Sequence, residues 1–254
     1  MDFNALHHQN HPLLIANVWD ASSALAAQQA GYHALGTSSA AIASLLGYED
    51  GEGMHFDELL FIVTRIKAVT ALPLSVDLEA GYGNTASRII ENIRCLAQAG
   101  VIGINLEDSH VENGVRSLDD ANAFADRLQE ITEACPGTFI NVRTDTFLLN
   151  VEDTLEQTIY RGQLYAARGA NGFFVPGVTQ PDSIAALAQH VTLPLNVMCM
   201  PMLPDFATLA SLGVRRISMG NFIHAATQSR LKELLSKVQQ NQNFVDIFSH
   251  ENNR

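Results

Sequence analysis

Carboxylates recur beside one another at the ends of short apolar runs: Asp77 with Glu79, Glu107 with Asp108, and Asp145 two residues after Arg143. Acids brought together in a folded interior repel one another and lose hydration unless something positive sits among them. Lysine is a poor source of that charge. The chain has Lys67, Lys232 and Lys237, all within helical patterns. Their placement argues against a Schiff-base aldolase, which needs a desolvated amine at the reacting carbon, and against a P-loop. Arg143 is then the main protein cation of the set, and the acids outnumber it. A hard divalent ion would restore the balance. Oxygen ligands without a His or Cys cluster favour Mg²⁺, with Mn²⁺ possible, over Zn²⁺.

The sharpest segment is Val76-Asp77-Leu78-Glu79-Ala80-Gly81-Tyr82-Gly83-Asn84. On a strand, Asp77 and Glu79 would point to the same side. Gly81 and Gly83 would let the chain turn beyond them. The plainer reading is a polar loop leading to a helix cap. A dinucleotide fingerprint is excluded, because the third glycine and the following acid are missing. In Leu106-Glu107-Asp108-Ser109, neighbouring acids face opposite sides, so Glu107 could look inward while Asp108 supports from behind; two solvated loop acids are the alternative. Arg143 with Asp145 reads either as a structural ion pair or as a bidentate grip on a substrate carboxylate.

The elements that must carry these groups alternate from end to end. Strand candidates cover 13–19, 32–38, 72–79, 103–109, 139–145, 172–177, 193–198 and 215–220, and read as near-continuous apolar runs suited to burial on both faces. Ser22, Asp57 and Asn84 or Thr85 are helix caps, and Asp153 with Glu156 suggests a capping box. Strand–helix alternation over 254 residues predicts one (β/α)₈ TIM barrel of class α/β, with an open doubly wound sheet as runner-up. The barrel would span about 13–240, ending in a long helix over 222–240 and a polar tail over 241–254, all in one domain. In a barrel the site lies where the C-terminal strand ends meet, which adds Asp20, Ser38 and Asn196 to the set.

A net charge of −12 disfavours nucleic acid and anionic membranes as partners. It leaves room for a small anionic substrate, since a local Arg and a bound cation invert the sign inside a pocket. Cys95, Cys135 and Cys199 are odd in number and scattered, as expected of free thiols in a reducing compartment. With no secretion signal and no long apolar stretch, the expectation is a cytoplasmic protein.

Taken together these motifs resemble the isocitrate lyase and phosphoenolpyruvate mutase superfamily. The resemblance rests on Asp77-Leu78-Glu79 followed by Gly81-Tyr82-Gly83, on Glu107-Asp108, and on Arg143-Thr144-Asp145. It rests further on Gly36-Thr37-Ser38-Ser39-Ala40 with Gly47-Tyr48-Glu49-Asp50 downstream. It implies that Asp77 is the direct Mg²⁺ ligand, with Asp50, Glu79 and Glu107 acting through water. It implies that amides around Ser39 and Ala40 hold one end of a 2-oxo acid and Arg143 the other. It also implies a homotetramer, a dimer of dimers exchanging the last helix.

Two features depart from that pattern. Glu79 stands where the family has Asp, and the family's Lys-x-Cys-Gly gating loop is replaced by Ser109-His110-Val111-Glu112-Asn113-Gly114-Val115-Arg116. Proton transfer then falls to His110 or Glu112, with Arg116 on the same loop; Cys199 reads as a packed thiol. Trp19 could wall the pocket. The expected activity is Mg²⁺-dependent C–C cleavage of a small 2-oxo or 2-hydroxy dicarboxylic acid through a pyruvate-type enolate. C–P chemistry of the phosphoenolpyruvate mutase or phosphonopyruvate hydrolase type is the first alternative, and a non-catalytic 2-oxo acid-binding barrel the second.

Overall fold

The computed structural model describes residues 3–51 and 53–248. Strands β1 (Leu13–Leu14), β2 (Ala16–Val18), β3 (Leu35–Thr37), β4 (Leu74–Asp77) and β5 (Gly103–Glu107) are followed by a hairpin, β6 (Ser109–Glu112) and β7 (Val115–Leu118). Then come β8 (Phe139–Arg143), β9 (Gly172–Phe174), β10 (Leu195–Met198) and β11 (Val214–Ser218). Apart from the antiparallel β6–β7 pair, every ladder is parallel. The order is β1-β11-β10-β9-β8-β5-β4-β3-β2. Because β1 and β2 are separated only by Ile15, whose N–H donates to Ile217 O at 2.9 Å, one stretch of chain pairs on both sides. The sheet thereby closes into the expected barrel.

Helices wrap its outside: α1 (Ala21–Gln29), α2 (Ser39–Leu46), α3 (Phe56–Lys67), α4 (Ala86–Gln98), α5 (Ala121–Ala134), α6 (Thr146–Leu149), α7 (Thr154–Ala167), α8 (Pro181–His190), α9 (Phe206–Ser211), α10 (Phe222–Asn241) and α11 (Val245–Phe248). Thr85 caps α4 as expected. Elsewhere the caps shift. Asp20 rather than Ser22 caps α1, His55 rather than Asp57 precedes α3, and Asp153 stands at the start of α7 with left-handed backbone and no side-chain cap bond. No described helix is long and apolar enough to cross a membrane.

The barrel strands are buried along most of their length, yet they are not apolar on both faces as the sequence suggested. Val76, Ile104, Leu106, Ile140, Val142, Phe173, Val197 and Ile217 join the core between sheet and helices. The residues that alternate with them meet across the barrel interior. Asn141 Nδ2 donates to Asn105 Oδ1 at 2.9 Å and to Asn196 Oδ1 at 3.0 Å, and Arg216 Nη2 reaches Asn105 Oδ1 at 3.3 Å. Period-two alternation thus gives the strands an apolar outer face and an inner face that is polar along Asn105, Asn141, Asn196 and Arg216 and apolar at the N-terminal end, where Leu13, Ile15 and Phe139 cluster with Phe3 and Leu6. Below, a turn over Ala5–His8 plugs the N-terminal end, where the His7 ring stacks on Phe139 with centroids 4.3 Å apart. Burial, with help from Arg216, pushes the His7 imidazole down to about 3, so it packs there uncharged.

Asp108 fixes the turn from β5 into the hairpin. Its Oδ2 accepts from Arg161 Nη1 (2.8 Å), Thr144 Oγ1 (2.8 Å) and Tyr165 OH (2.6 Å), all buried. Removing the carboxylate would strand the Arg161 charge. Asp108→Ala is therefore expected to cost about 3–5 kcal/mol in denaturant unfolding. A variant as stable as the parent would show that this pair does not hold the turn.

Candidate functional site

Strand β4 ends at Asp77, where the chain leaves the barrel at its C-terminal mouth. Asp77 Oδ2 accepts from the Ser39 hydroxyl (2.7 Å) and the Ser39 N–H (3.3 Å), while Oδ1 accepts from Asn105 Nδ2 (3.3 Å). Thr37 Oγ1 accepts from the Asp77 N–H at 2.8 Å. The Asp77 backbone is therefore held from β3, and its carboxylate from α2 and β5. Ser38 caps α2, its Oγ accepting from the Ala41 N–H. The cap places Ser39 and Ala40 in the first turn of α2, with the N-terminal dipole directed at the mouth.

A cavity of ≈ 180 Å³ opens there, lined by the polar residues Asn17, Ser38, Ser39, Asp50, Asp77, Asn105 and Arg143 and by Ala40, Leu148, Phe174 and Met198. Five residues expected from the sequence to bind substrate or metal, together with Arg143, are thus gathered in one place. Asn17, Asn105 and Ser218 also line it and were missed. For Asn105 the signal was present: it stands two residues before Glu107 on the same strand, and so on the same face.

Glu79 arrives by another route than strand alternation. It lies past the end of β4, with φ of 51°, and its carboxylate accepts from Tyr82 OH at 2.8 Å. With Glu107 it lines a second cavity of ≈ 360 Å³, together with His110, Glu112, Asp119 and Arg127. Burial, then Asp77, and then Glu107 and Asp50 push the Glu79 carboxyl up to about 8. Asp50, on the rim, is also raised, by loss of hydration around its carboxyl and then by Asp77.

Arg143 and Asp145 form the ion pair that the sequence reading offered as one alternative, whereas the contacts that Glu107 makes with both guanidiniums, and Asp145 with Arg116, were not foreseen. Arg143 Nε and Nη2 donate to the two oxygens of Asp145 at 2.7 and 3.0 Å. From the hairpin, Arg116 Nη1 reaches Glu107 Oε1, Ser109 Oγ (2.8 Å) and Asp145 Oδ2 (2.9 Å). Arg143 Nη1 approaches Glu107 Oε2 to 3.0 Å without hydrogen-bond alignment, which leaves its protons able to meet a ligand in the cavity. Burial raises the Glu107 carboxyl and the two guanidiniums pull it back; against its own burial, Asp145 is held low by Arg143. Arg116 thus joins Arg143 as a cation of the rim, and Asp145 engages two of the Arg143 nitrogens while Nη1 lies beside Glu107.

Trp19 and Asp20 do not reach the mouth. Asp20 Oδ1 accepts from the Ser23 N–H at 2.7 Å as the cap of α1, and Trp19 meets the His224 ring edge-on at 4.9 Å. Both line a separate, largely apolar groove between α1 and α10, because the capping box turns them outward after β2. Asn196 lies beneath the cavity, fully buried, donating to Ser218 Oγ at 3.1 Å and to Val197 O at 2.7 Å. It supports the floor rather than touching a ligand.

The donor set suits a hard divalent ion. Five carboxylates (Asp50, Asp77, Glu79, Glu107, Asp145) face two guanidiniums (Arg116, Arg143). Among the described residues no three acid, His or Cys side chains converge as a ready-made cage. The arrangement fits an ion held directly by Asp77, with further acids reaching it through water, as Mg²⁺ with its retained hydration prefers.

Comparison with known proteins agrees with this geometry. The family model described as phosphoenolpyruvate phosphomutase matches residues 3–239. An uncharacterised protein of Mycobacterium tuberculosis (strain H37Rv) is 34% identical over 89% of this chain and 84% of its own length. The oxaloacetate decarboxylase of Pseudomonas entomophila is 31% identical over 85% and 75%. A solved structure from Burkholderia cenocepacia J2315, itself only provisionally assigned as a phosphonomutase, superposes with a TM-score of 0.87 at 39% identity, covering 92% of this chain and 97% of that one. A phosphonopyruvate hydrolase solved with oxalate and Mg²⁺ shares the fold, with a TM-score of 0.85 at 19% identity, over 96% of this chain and 88% of its own. The chain belongs to the phosphoenolpyruvate phosphomutase family, within the isocitrate lyase and phosphoenolpyruvate mutase superfamily.

Proposed function

We propose that this protein is a Mg²⁺-dependent lyase that breaks a C–C bond in a small 2-oxo or 2-hydroxy dicarboxylic acid, releasing pyruvate or a close relative. The observation that carries this reading is the mouth cavity, a space of ≈ 180 Å³ that Asp77, Asp50 and Arg143 line together. That is well below the ~300 Å³ at which pockets for drug-sized ligands begin. Mg²⁺, when bound, would supply Lewis acidity at the 2-oxo oxygen; Mn²⁺ would substitute.

Asp77, held by Ser39 and Asn105, is the group that would ligate the ion. Asp50, Glu79 and Glu107 would orient its waters. Ser38, Ser39 and Ala40 at the start of α2 bind the carboxylate next to the 2-oxo group. The Arg143 Nη1 edge faces the opposite end and stabilises the charge that develops as the bond at C3 breaks. His110 and Glu112, in the adjoining cavity, are the candidates for carrying the proton.

The test is a panel of 2-oxo and 2-hydroxy dicarboxylates and phosphonopyruvate, assayed for pyruvate with and without Mg²⁺. Asp77→Asn is expected to lower turnover by about 10²-fold or more and to weaken Mn²⁺ binding. Undiminished turnover in excess chelator would remove the metal from the reading. Release of pyruvate from phosphonopyruvate alone would move it to C–P chemistry, and 2-oxo acid binding without any turnover would make the barrel a binding protein.

The acids also predict a pH dependence. A carboxyl raised to about 8, as Glu79 is, stays protonated in the folded protein at neutral pH. The folded state then loses stability as pH rises from the ordinary carboxylate range through about 8, because the unfolded chain releases that proton earlier. A cation binding beside it must displace the proton, so affinity should climb over the same interval, by up to about tenfold per pH unit per proton released. Mn²⁺ titrations at pH 6.5, 7.5 and 8.5 check this, and a flat affinity would take Glu79 out of the ion's surroundings.

We propose in addition that α10 is exchanged between subunits of a homotetramer. Phe222, Ile223, Leu231 and Leu235 are exposed on it, and His224 is its one buried residue. Beside its start lies a groove lined by Ala26, Ala27, Leu45 and Met219, which a second copy of the helix would cover. Sedimentation equilibrium should give four times the chain mass, with Leu231→Asp plus Leu235→Asp shifting it downward. A monomer at micromolar concentration would refute the exchange.

A further inference from the structure

The hairpin that stands in place of a long gating loop carries a histidine in a fixed setting. His110 Nδ1 lies 2.7 Å from Asp119 Oδ1, and Nε2 lies 3.3 Å from Ser117 Oγ. Asp119 is itself held at four points. Its Oδ2 accepts from Arg127 Nη2 at 2.7 Å, its N–H donates to Asp108 O at 2.8 Å, and its carbonyl accepts from Arg161 Nη2 at 2.9 Å. Through Asp108 and Arg161 this chain of contacts runs down to the buried cluster on α7. An ionised carboxylate only accepts, so a hydrogen bond to it keeps a proton on Nδ1 and leaves Nε2 as the working nitrogen.

A half-exposed ion pair of this kind contributes little to stability, about 0–1 kcal/mol. Two carboxylate oxygens locked by two partners, and a backbone locked by two more, are more than the hairpin needs to close. His110, Asp119 and Arg127 line the ≈ 360 Å³ cavity together with Glu79, Glu107 and Glu112. Glu107 Oε2 lies 3.0 Å from Nη1 of Arg143, which lines the mouth cavity, so the Glu107–Arg143 pair stands between this cavity and the reaction site. The charged groups around the imidazole are those three glutamates and Asp119, with Arg127 behind Asp119 and Arg116 on the facing strand of the hairpin.

We infer that Asp119 is a positioning residue that fixes the His110 tautomer and aims Nε2, making His110 rather than Glu112 the group that carries the proton to C3. This rests on the lyase reading. In the step, the Nε2–H bond breaks and a C3–H bond forms with the electron pair of the enolate C2=C3 bond. The C2–O bond becomes a carbonyl again, and the N–H electrons remain on Nε2. His110 is left neutral and regains its proton from water at its exposed edge. Histidine is the side chain whose ordinary range suits such traffic near neutral pH.

Two measurements on the full chain test this. The first is the His110 tautomer in long-range ¹⁵N–¹H spectra of ¹⁵N-histidine protein, assigned with His110→Gln. Wild type is expected to show Nδ1–H, and Asp119→Asn to shift it to Nε2–H. The second is Mg²⁺-dependent deuterium uptake into the pyruvate methyl group in D₂O, followed by NMR across pH. His110→Gln and Asp119→Asn should each lower it by about 10²-fold and displace the limb of the pH profile that His110 sets. Asp119→Glu should recover part of the rate, and carries the test if Asp119→Asn fails to fold.

Wild type in the Nε2–H form, or Asp119→Asn exchanging within twofold of wild type, would overturn the inference. Full exchange in His110→Gln would do so as well. Wild-type protein that binds Mn²⁺ through Asp77 yet exchanges no deuterium would overturn the proton-carrying role. Loss of the metal dependence itself would instead strike the lyase reading, and the tautomer would then decide the part of Asp119.

Discussion

Two guanidiniums share two carboxylates at the mouth of this barrel: Arg143 and Arg116 on one side, Glu107 and Asp145 on the other. Four opposite charges in so small a space are tolerated because each is oriented by a different element. Arg143 comes from the end of β8, Glu107 from β5, Arg116 from the hairpin, and Asp145 from the start of α6. The cluster is electrically closed, so Asp77 and Asp50 add negative charge beside it, and Glu79, raised to about 8, adds more once a cation displaces its proton. That residue of charge makes the mouth a place for a cation, and the cavity beside Arg143 a place for the anion that comes with it.

The support beneath is as constrained as the rim. Arg216 is buried in the barrel interior, where burial lowers it to about 10 and Asp77 opposes that shift. Its Nη2 reaches Asn105, and Asn105 donates to Asp77. A polar interior of Asn105, Asn141, Asn196 and Arg216 is an expensive way to fill a barrel, because every member needs partners. Here it forms a stack of oriented dipoles that ends on the carboxylate assigned to the metal. The apolar share of stability comes from the outer faces of the same strands, against the helices. Strand alternation lets the two tasks coexist without competing for positions.

The hairpin gives the site its particular character. Its two strands pair over Ser109–Glu112 and Val115–Leu118, and its turn carries positive φ at Asn113 and Gly114. Gly51, also at positive φ, lies so close to Val111 that a Cβ there would come within 2.8 Å of it. The hairpin is therefore seated on the loop that bears Asp50, and it delivers Arg116 to the Glu107–Asp145 cluster and His110 to the larger cavity. A short, paired structure with ion-paired ends serves as a fixed wall, in contrast to a long loop that must fold over its ligand.

Much was legible in the sequence. The alternation of apolar runs with helix signals determined a closed parallel barrel, because a parallel strand needs a crossover and eight such units close most compactly on themselves. The same rule located Asp77, Ser38, Glu107 and Arg143 at one rim, and the family resemblance added Ser39, Ala40 and Asp50. What one dimension could not hold is which charges meet across sequence distance. That Arg116 neutralises Glu107, that Asp119 holds His110, and that Arg216 stands below Asp77 all depend on side chains reaching between strands. Trp19 and Asp20 were misplaced for the same reason: a capping interaction three residues long turned them away from the mouth. The strands, read as apolar on both faces, concealed a polar interior, because burial and hydrophobicity coincide in a sequence pattern. Only the closed barrel separates them, by giving buried polar groups one another as partners.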